Sequence, residues 1–224
     1  MIIKKYKAVI FRQLFAYTFF RFYENNLLIA KPIMRLIGLF FIIILFSSCG
    51  VQHHFVSSKE AKDDTSYVYA LPYPKGVSRL MVQGYKSQFS HRGRLSLDFK
   101  MKEGSPVTAT RDGIVVRVEE GFSKGGVNKK YLRKANQVVI LHPDGSQAYY
   151  GHVEKNGVLV NVGDTVRVGQ VIAKSGSTGF SAFPHLHFIV WGPAPLGGRS
   201  QLPTRFLTKK GIRYLRPGRW YKAL

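Results

Sequence analysis

Pro184-His185-Leu186-His187-Phe188-Ile189-Val190-Trp191 alternates two kinds of side chain. Successive residues of a strand point to opposite faces. Leu186, Phe188 and Val190 therefore form one apolar face, and His185 and His187 share the other. This pattern predicts a strand that presses one face into a core. Two imidazoles side by side on the second face suit a divalent metal. Two ordinary surface histidines are the plain alternative.

Working outward, a loop rich in Gly, Ser and Thr, Gly176 to Pro184, delivers that strand. Ser96 to Lys100 also alternates, with Leu97 and Phe99 on one side and Ser96 and Asp98 on the other. Gln137 to His142 and Gln147 to Val153 read as a hairpin around Pro143-Asp144-Gly145. Pro106 to Glu119 reads as another, around Asp112-Gly113. Gly121 to Lys134 is a Gly/Lys-rich insertion with the composition of a surface loop. Val158 to Val162 and Val166 to Ala173 predict short strands joined at Gly163-Asp164, and Thr204 to Leu207 predicts one more. No segment carries a long, capped helical period. The expected fold is all-β, a two-sheet antiparallel sandwich or rolled sheet.

The N-terminal part has a different character. Leu36 to Phe46 is an unbroken apolar run, too short for a transmembrane helix of about 20 residues. With Arg35 before it and Ser47-Ser48 after it, the run fits a secretory h-region. Either Met34 is the true start or residues 1–33 form an unusually long basic, aromatic n-region. Phe46-Ser47-Ser48-Cys49 resembles a bacterial lipobox, in which the cysteine is acylated and becomes the mature N-terminus. Cys49 is the only cysteine of the 224 residues, so it has no internal disulfide partner. The expected organisation is a leader (1–48), a lipidated tether (49–66), a β domain (67–208) and a basic C-terminal tail (209–224).

The net charge is +22. Residues 1–48 hold seven of the 34 Lys/Arg and one of the 12 Asp/Glu, so the remainder still carries about +16. An exported chain rarely meets nucleic acid, and no nucleic-acid motif is present. Anionic envelope polymers or lipid headgroups are the expected partners of such a surface, with plain solubility as the alternative.

Several motifs stand in a particular order: Ser90-His91-Arg92-Gly93, Leu97-Asp98-Phe99, Gly104-Ser105-Pro106-Val107, His142-Pro143-Asp144-Gly145, Tyr150-Gly151-His152, Gly176 with Thr178-Gly179, and Pro184-His185-Leu186-His187-Phe188. In this order the chain resembles the lysostaphin-type zinc endopeptidases, which cut peptide cross-links of bacterial cell walls. The resemblance runs from about Leu71 to Trp191. It implies zinc held by His91, Asp98 and His187 in a groove, with one position left open for water. It implies that His152 and His185 are the two non-ligand histidines, one acting as base and the other steadying an oxyanion. The implied substrate is peptidoglycan, its cross-links or stem peptides.

The chain also departs from the family pattern. The first histidine normally stands four residues before the aspartate, where this chain has Arg94; His91 stands seven before Asp98. A flexible Gly93 would let the chain fold back and bring His91 to the metal. Without that, one ligand is missing, and the domain becomes an inactive scaffold that binds the wall or activates another hydrolase. Phe183 and Ile189 replace a common glycine and a common glutamate, changes expected in groove shape. His142, before its turn, is expected to be structural.

Overall fold

A computed structural model describes residues 68–194 and 197–224. The expected leader, the whole tether with Cys49, and the first residue of the expected domain, together residues 1–67, lie outside the described residues, as do Pro195 and Leu196.

The described chain is built from strands. They are β1 (Val68–Tyr69), β2 (Ser78–Gln83), β3 (Ser96–Lys100), β4 (Pro106–Thr108), β5 (Gly113–Glu119), β6 (Asn136–Leu141), β7 (Gln147–Val158), β8 (Thr165–Val166), β9 (Val171–Ser175), β10 (His185–Pro193), β11 (Arg199–Gln201), β12 (Arg205–Thr208), β13 (Gly211–Arg213) and β14 (Arg219–Lys222). One 3-10 turn, Lys129–Tyr131, lies in the insertion. No described helix is long and apolar enough to cross a membrane.

Eleven strands form one sheet in the order β14-β2-β3-β10-β7-β6-β5-β8, with β11 on β10, and β9 joining β4 to β7. A smaller sheet, β1-β12-β13, contains the one parallel pairing among the described strands, β1 with β12. The all-β expectation holds, with that parallel pair added to an otherwise antiparallel arrangement.

The alternation seen in sequence is what divides the faces. Leu97 and Phe99 of β3, Leu186, Phe188 and Val190 of β10, Ala148 and Tyr150 of β7, and Val138 and Ile140 of β6 are all buried on one side of the large sheet. The small sheet covers them. Phe206 of β12 stacks edge-on against Phe188 at 5.8 Å and Phe99 at 6.2 Å, and Tyr69 of β1 meets Phe188 at 6.2 Å. Burying each such side chain contributes about 1.5–3 kcal/mol. The core therefore holds β3, β10 and β7 rigidly side by side, and their other faces form a common platform.

Two connections differ from expectation. Pro106 to Glu119 is not a hairpin: β4 pairs with β9, while β5 pairs with β6 and β8. The chain between β4 and β5 bonds elsewhere. Ala109 N–H donates to Gln170 O, Gly169 N–H donates to Ala109 O, and the Asp112 carboxylate accepts from Val168 N–H at 2.6 Å. These bonds hold the segment open against the 168–170 turn. Residues 209–224 supply strands as well, β13 on β12 and β14 on the β2 edge of the large sheet.

Candidate metal centre

The platform carries the polar residues singled out from sequence. β3 and β10 run antiparallel with His187 directly opposite Asp98. That register places His187 Nδ1 2.8 Å from Asp98 Oδ1. His185, two residues earlier on the same face, brings its Nε2 to 3.6 Å from the same oxygen.

His91 reaches the carboxylate from the loop between β2 and β3. Arg94 N–H donates back to His91 O at 2.9 Å, and Gly93 sits at φ +67°, a left-handed conformation that glycine adopts without steric cost. The loop thus folds back on itself, and the longer spacing to Asp98 is absorbed. The His91 ring is fully buried, with Nε2 3.2 Å from Asp98 Oδ2. Its Nδ1 lies 3.0 Å from Gly84 O. A carbonyl only accepts, so Nδ1 carries a proton and the ring is oriented with Nε2 toward the carboxylate.

His152 arrives by a different route. Ala148 and Tyr150 of β7 face the core, so strict alternation would send His152 there too. Across from it, Gln137 pairs with Gly151 and Asn136 with Val153, which leaves His152 as the extra residue of a β-bulge. Its φ of +65° is uncommon for a residue with a side chain. The bulge turns the ring onto the platform, 4.6 Å from the His185 ring and 5.7 Å from that of His187.

Thr178 clamps this bulge. Its hydroxyl accepts from Asn136 N–H at 3.0 Å and donates to Val153 O at 2.7 Å, while its carbonyl accepts from His152 Nδ1 at 2.6 Å. His185 is fixed in the same way, with Nδ1 donating to Phe183 O at 2.7 Å. Both rings therefore present Nε2 to the groove. The sequence pattern contains Thr178 without assigning it a role and does not reveal the bulge; the one local signal is Gly151, a glycine inside a strand pattern. Tyr149 adds a wall, its ring edge-on to His187 at 6.0 Å and to Trp191 at 5.8 Å.

The electrostatics follow from burial. Burial alone would raise the Asp98 pKa, but hydrogen bonds from His187 and His91, with the charges of His187 and His185, outweigh it and hold the carboxyl ionised well below the usual range. Burial lowers the pKa of His187. Burial, reinforced by His185 and His187, pushes His152 down to about 3. One stable anion thus faces a cluster of imidazoles.

This arrangement fits zinc. His91, Asp98 and His187 each offer a ligand atom, all within 4.8 Å of one another. Two imidazole nitrogens and a carboxylate oxygen are the donor set of a catalytic zinc site. His91 Nε2 is buried 3.2 Å from Asp98 Oδ2, with His187 on the other oxygen of the same carboxylate, so two imidazoles and a carboxylate converge out of reach of bulk water. A divalent cation would be shared by all three groups. His152, His185 and His187 form a second such group through the shared His187. His142 is apart, with Nδ1 donating to Asp112 O at 2.7 Å and its ring edge-on to Tyr69.

Residues 91–199, the span that includes His91, Asp98, His152, His185 and His187, match the profile of Peptidase family M23. The chain carries a Peptidase M23 domain. Lysostaphin from Staphylococcus simulans is 36% identical over 141 residues, covering 62% of this chain and 24% of that protein. The peptidoglycan DD-endopeptidase ShyB of Vibrio cholerae is 38% identical over 93 residues, covering 42% of this chain and 19% of that one. A crystal structure described as a zinc-containing peptidase from Vibrio cholerae aligns at 30% identity and a TM-score of 0.42, covering 55% of this chain and 37% of its own. The chain thus spans about a quarter of the lysostaphin it matches.

Proposed function

We propose that this protein is a zinc-dependent endopeptidase that cleaves peptide cross-links or stem peptides of bacterial peptidoglycan. One observation carries the reading: the buried Nε2 of His91 lies 3.2 Å from an Asp98 carboxylate that also meets His187, so three metal-ligating groups converge. That contact supports His91 as a ligand despite its longer spacing to Asp98, and so favours the enzyme over an inactive scaffold. His91, Asp98 and His187 would hold the zinc, which supplies a Lewis acid and makes nearby water more acidic.

The chain's own groups do the remaining work. His152 spends its Nδ1 proton on Thr178 O, so its Nε2 is free to accept a proton from the attacking water. His185 is held through Nδ1 by Phe183 O and stands beside the carboxylate, placed to steady negative charge on the scissile carbonyl. Bulge and loop fix both rings in advance, so neither must be ordered at the moment of reaction.

The test uses the full-length chain. It should contain about one zinc per chain and release peptide ends from purified sacculi. Absence of stoichiometric zinc together with intact sacculi would refute the reading.

Cys49 carries a second part of the proposal. Acylated by at least two chains, it would hold the protein at a bacterial membrane facing the periplasm or exterior, because one chain binds only marginally. The tether 49–66 would let the domain reach the wall. Cys49→Ala should then move the protein from the membrane fraction to the soluble one; unchanged fractionation contradicts the anchor.

A further inference from the structure

The insertion Gly121 to Lys134 has the composition of a solvent loop, yet its N-terminal part is bonded to the segment that orients His152. Gly125 forms a parallel bridge with Gly179. Gly126 N–H donates to Gly179 O at 3.0 Å, and Gly179 N–H donates to Lys124 O at 3.1 Å. The root of the insertion is tied as firmly. The Asn136 side chain accepts from Phe122 N–H at 2.9 Å and donates to Phe122 O at 2.7 Å.

The approach leaves no spare room. A Cβ at Gly125 would lie 1.7 Å from Ser177 O and 2.9 Å from Gly179 O, both backbone atoms. A Cβ at Gly179, whose φ is +80°, would lie 2.8 Å from the Ala135 backbone. The insertion and the 177–179 segment are therefore seated backbone against backbone. Between Ser177 and Gly179 stands Thr178, whose carbonyl receives the His152 proton and whose hydroxyl closes the bulge.

We propose that the insertion is a positioning element of the active centre, with Gly125 its key residue: by bracing Ser177 to Gly179 it sets the Thr178 carbonyl that holds the His152 ring. This rests on the catalytic role proposed for His152, but the bracing itself can be read without catalysis. His152 sits in a left-handed conformation that its own side chain disfavours, so it depends on outside contacts. The bonds from Lys124 and Gly126 to Gly179 join backbone to backbone, so they order the ring without contributing a group to the reaction.

Gly125→Ala is the test, with Val127→Ala, an exposed position of the same insertion, as control. The methyl group introduced by Gly125→Ala must push Ser177 away, and a displacement near 1 Å lowers kcat by about 10²-fold. KM and zinc content should stay unchanged. In nitrogen-edited proton NMR of the full chain, wild type should show a protected His152 Nδ1–H, assigned by its loss in His152→Ala. Gly125→Ala should lose or broaden that signal, and Val127→Ala should keep it. A Gly125→Ala protein that keeps both the signal and kcat overturns the proposal, as does one whose only change is a raised KM. Should that variant not fold, amide exchange in wild type decides. Gly126 and Gly179 should be protected well beyond Val127, and exchange as fast as Val127 overturns the bracing. Wild type that shows the NMR signal but hydrolyses nothing defeats the hydrolase reading and leaves the bracing standing.

Discussion

β10 and β7 lie side by side at the centre of the large sheet, and each sends histidines to the same groove by a different physical rule. β10 is regular. Its period of two carries Leu186, Phe188 and Val190 inward and His185 and His187 outward, with His187 held opposite Asp98 by register. β7 is regular only up to Gly151. There the ladder gains an extra residue, and His152 reaches the groove against its own alternation. A histidine set by alternation is as secure as the sheet. One set by a bulge is as secure as the contacts that stabilise the bulge, here Thr178 and the segments around it.

The largest effect that would sharpen this contrast is at the metal. His187→Ala should abolish both bound zinc and hydrolysis, because it removes a proposed ligand and the partner of Asp98; retained stoichiometric zinc by metal analysis would break the assignment. His152→Ala should keep its zinc and lower kcat by about 10²–10⁴-fold, the usual contribution of a positioned acid or base. Loss of zinc in that variant would place His152 among the ligands instead.

Two further variants address the opposite side of each strand. Phe188→Ala empties the space between Tyr69, Tyr150 and Phe206. It should cost about 3–5 kcal/mol in denaturant unfolding, and a loss under about 1 kcal/mol would mean that the small sheet does not cover the core as described. Thr178→Val removes a hydroxyl that serves two buried backbone groups at the bulge. It should cost about 1–3 kcal/mol, and it should lower kcat more than Phe188→Ala does when both are assayed well below their unfolding midpoints. Equal kcat for the two would show that the bulge needs no clamp.

Much of this centre is legible in the sequence because it rests on short-range periodicity. Asp98 and His187 face the same side for the same reason that Phe99 and Phe188 face the other, and both alternations are written in short runs of consecutive residues. His91 is legible through its resemblance to a family motif, and Gly93, at φ +67°, supplies the turn that its unusual spacing required. The expected hairpin around Asp112-Gly113 shows the limit. The dipeptide suits a tight turn, but bonds to residues 168–170 hold its two flanks apart. Likewise the basic C-terminal segment has no strong alternation, yet β14 finds a partner in β2.

By itself the sequence determined the all-β class, the face on which His185, His187 and Asp98 lie, and the kind of ion those groups could hold, since side-chain period and donor chemistry are local properties. Only the tertiary structure decided that the insertion touches the loop behind His152, that His152 leaves the core side of β7, and that His91 turns its Nε2 onto Asp98. These depend on backbone segments distant in sequence meeting within hydrogen-bonding reach, and no local pattern encodes such a meeting.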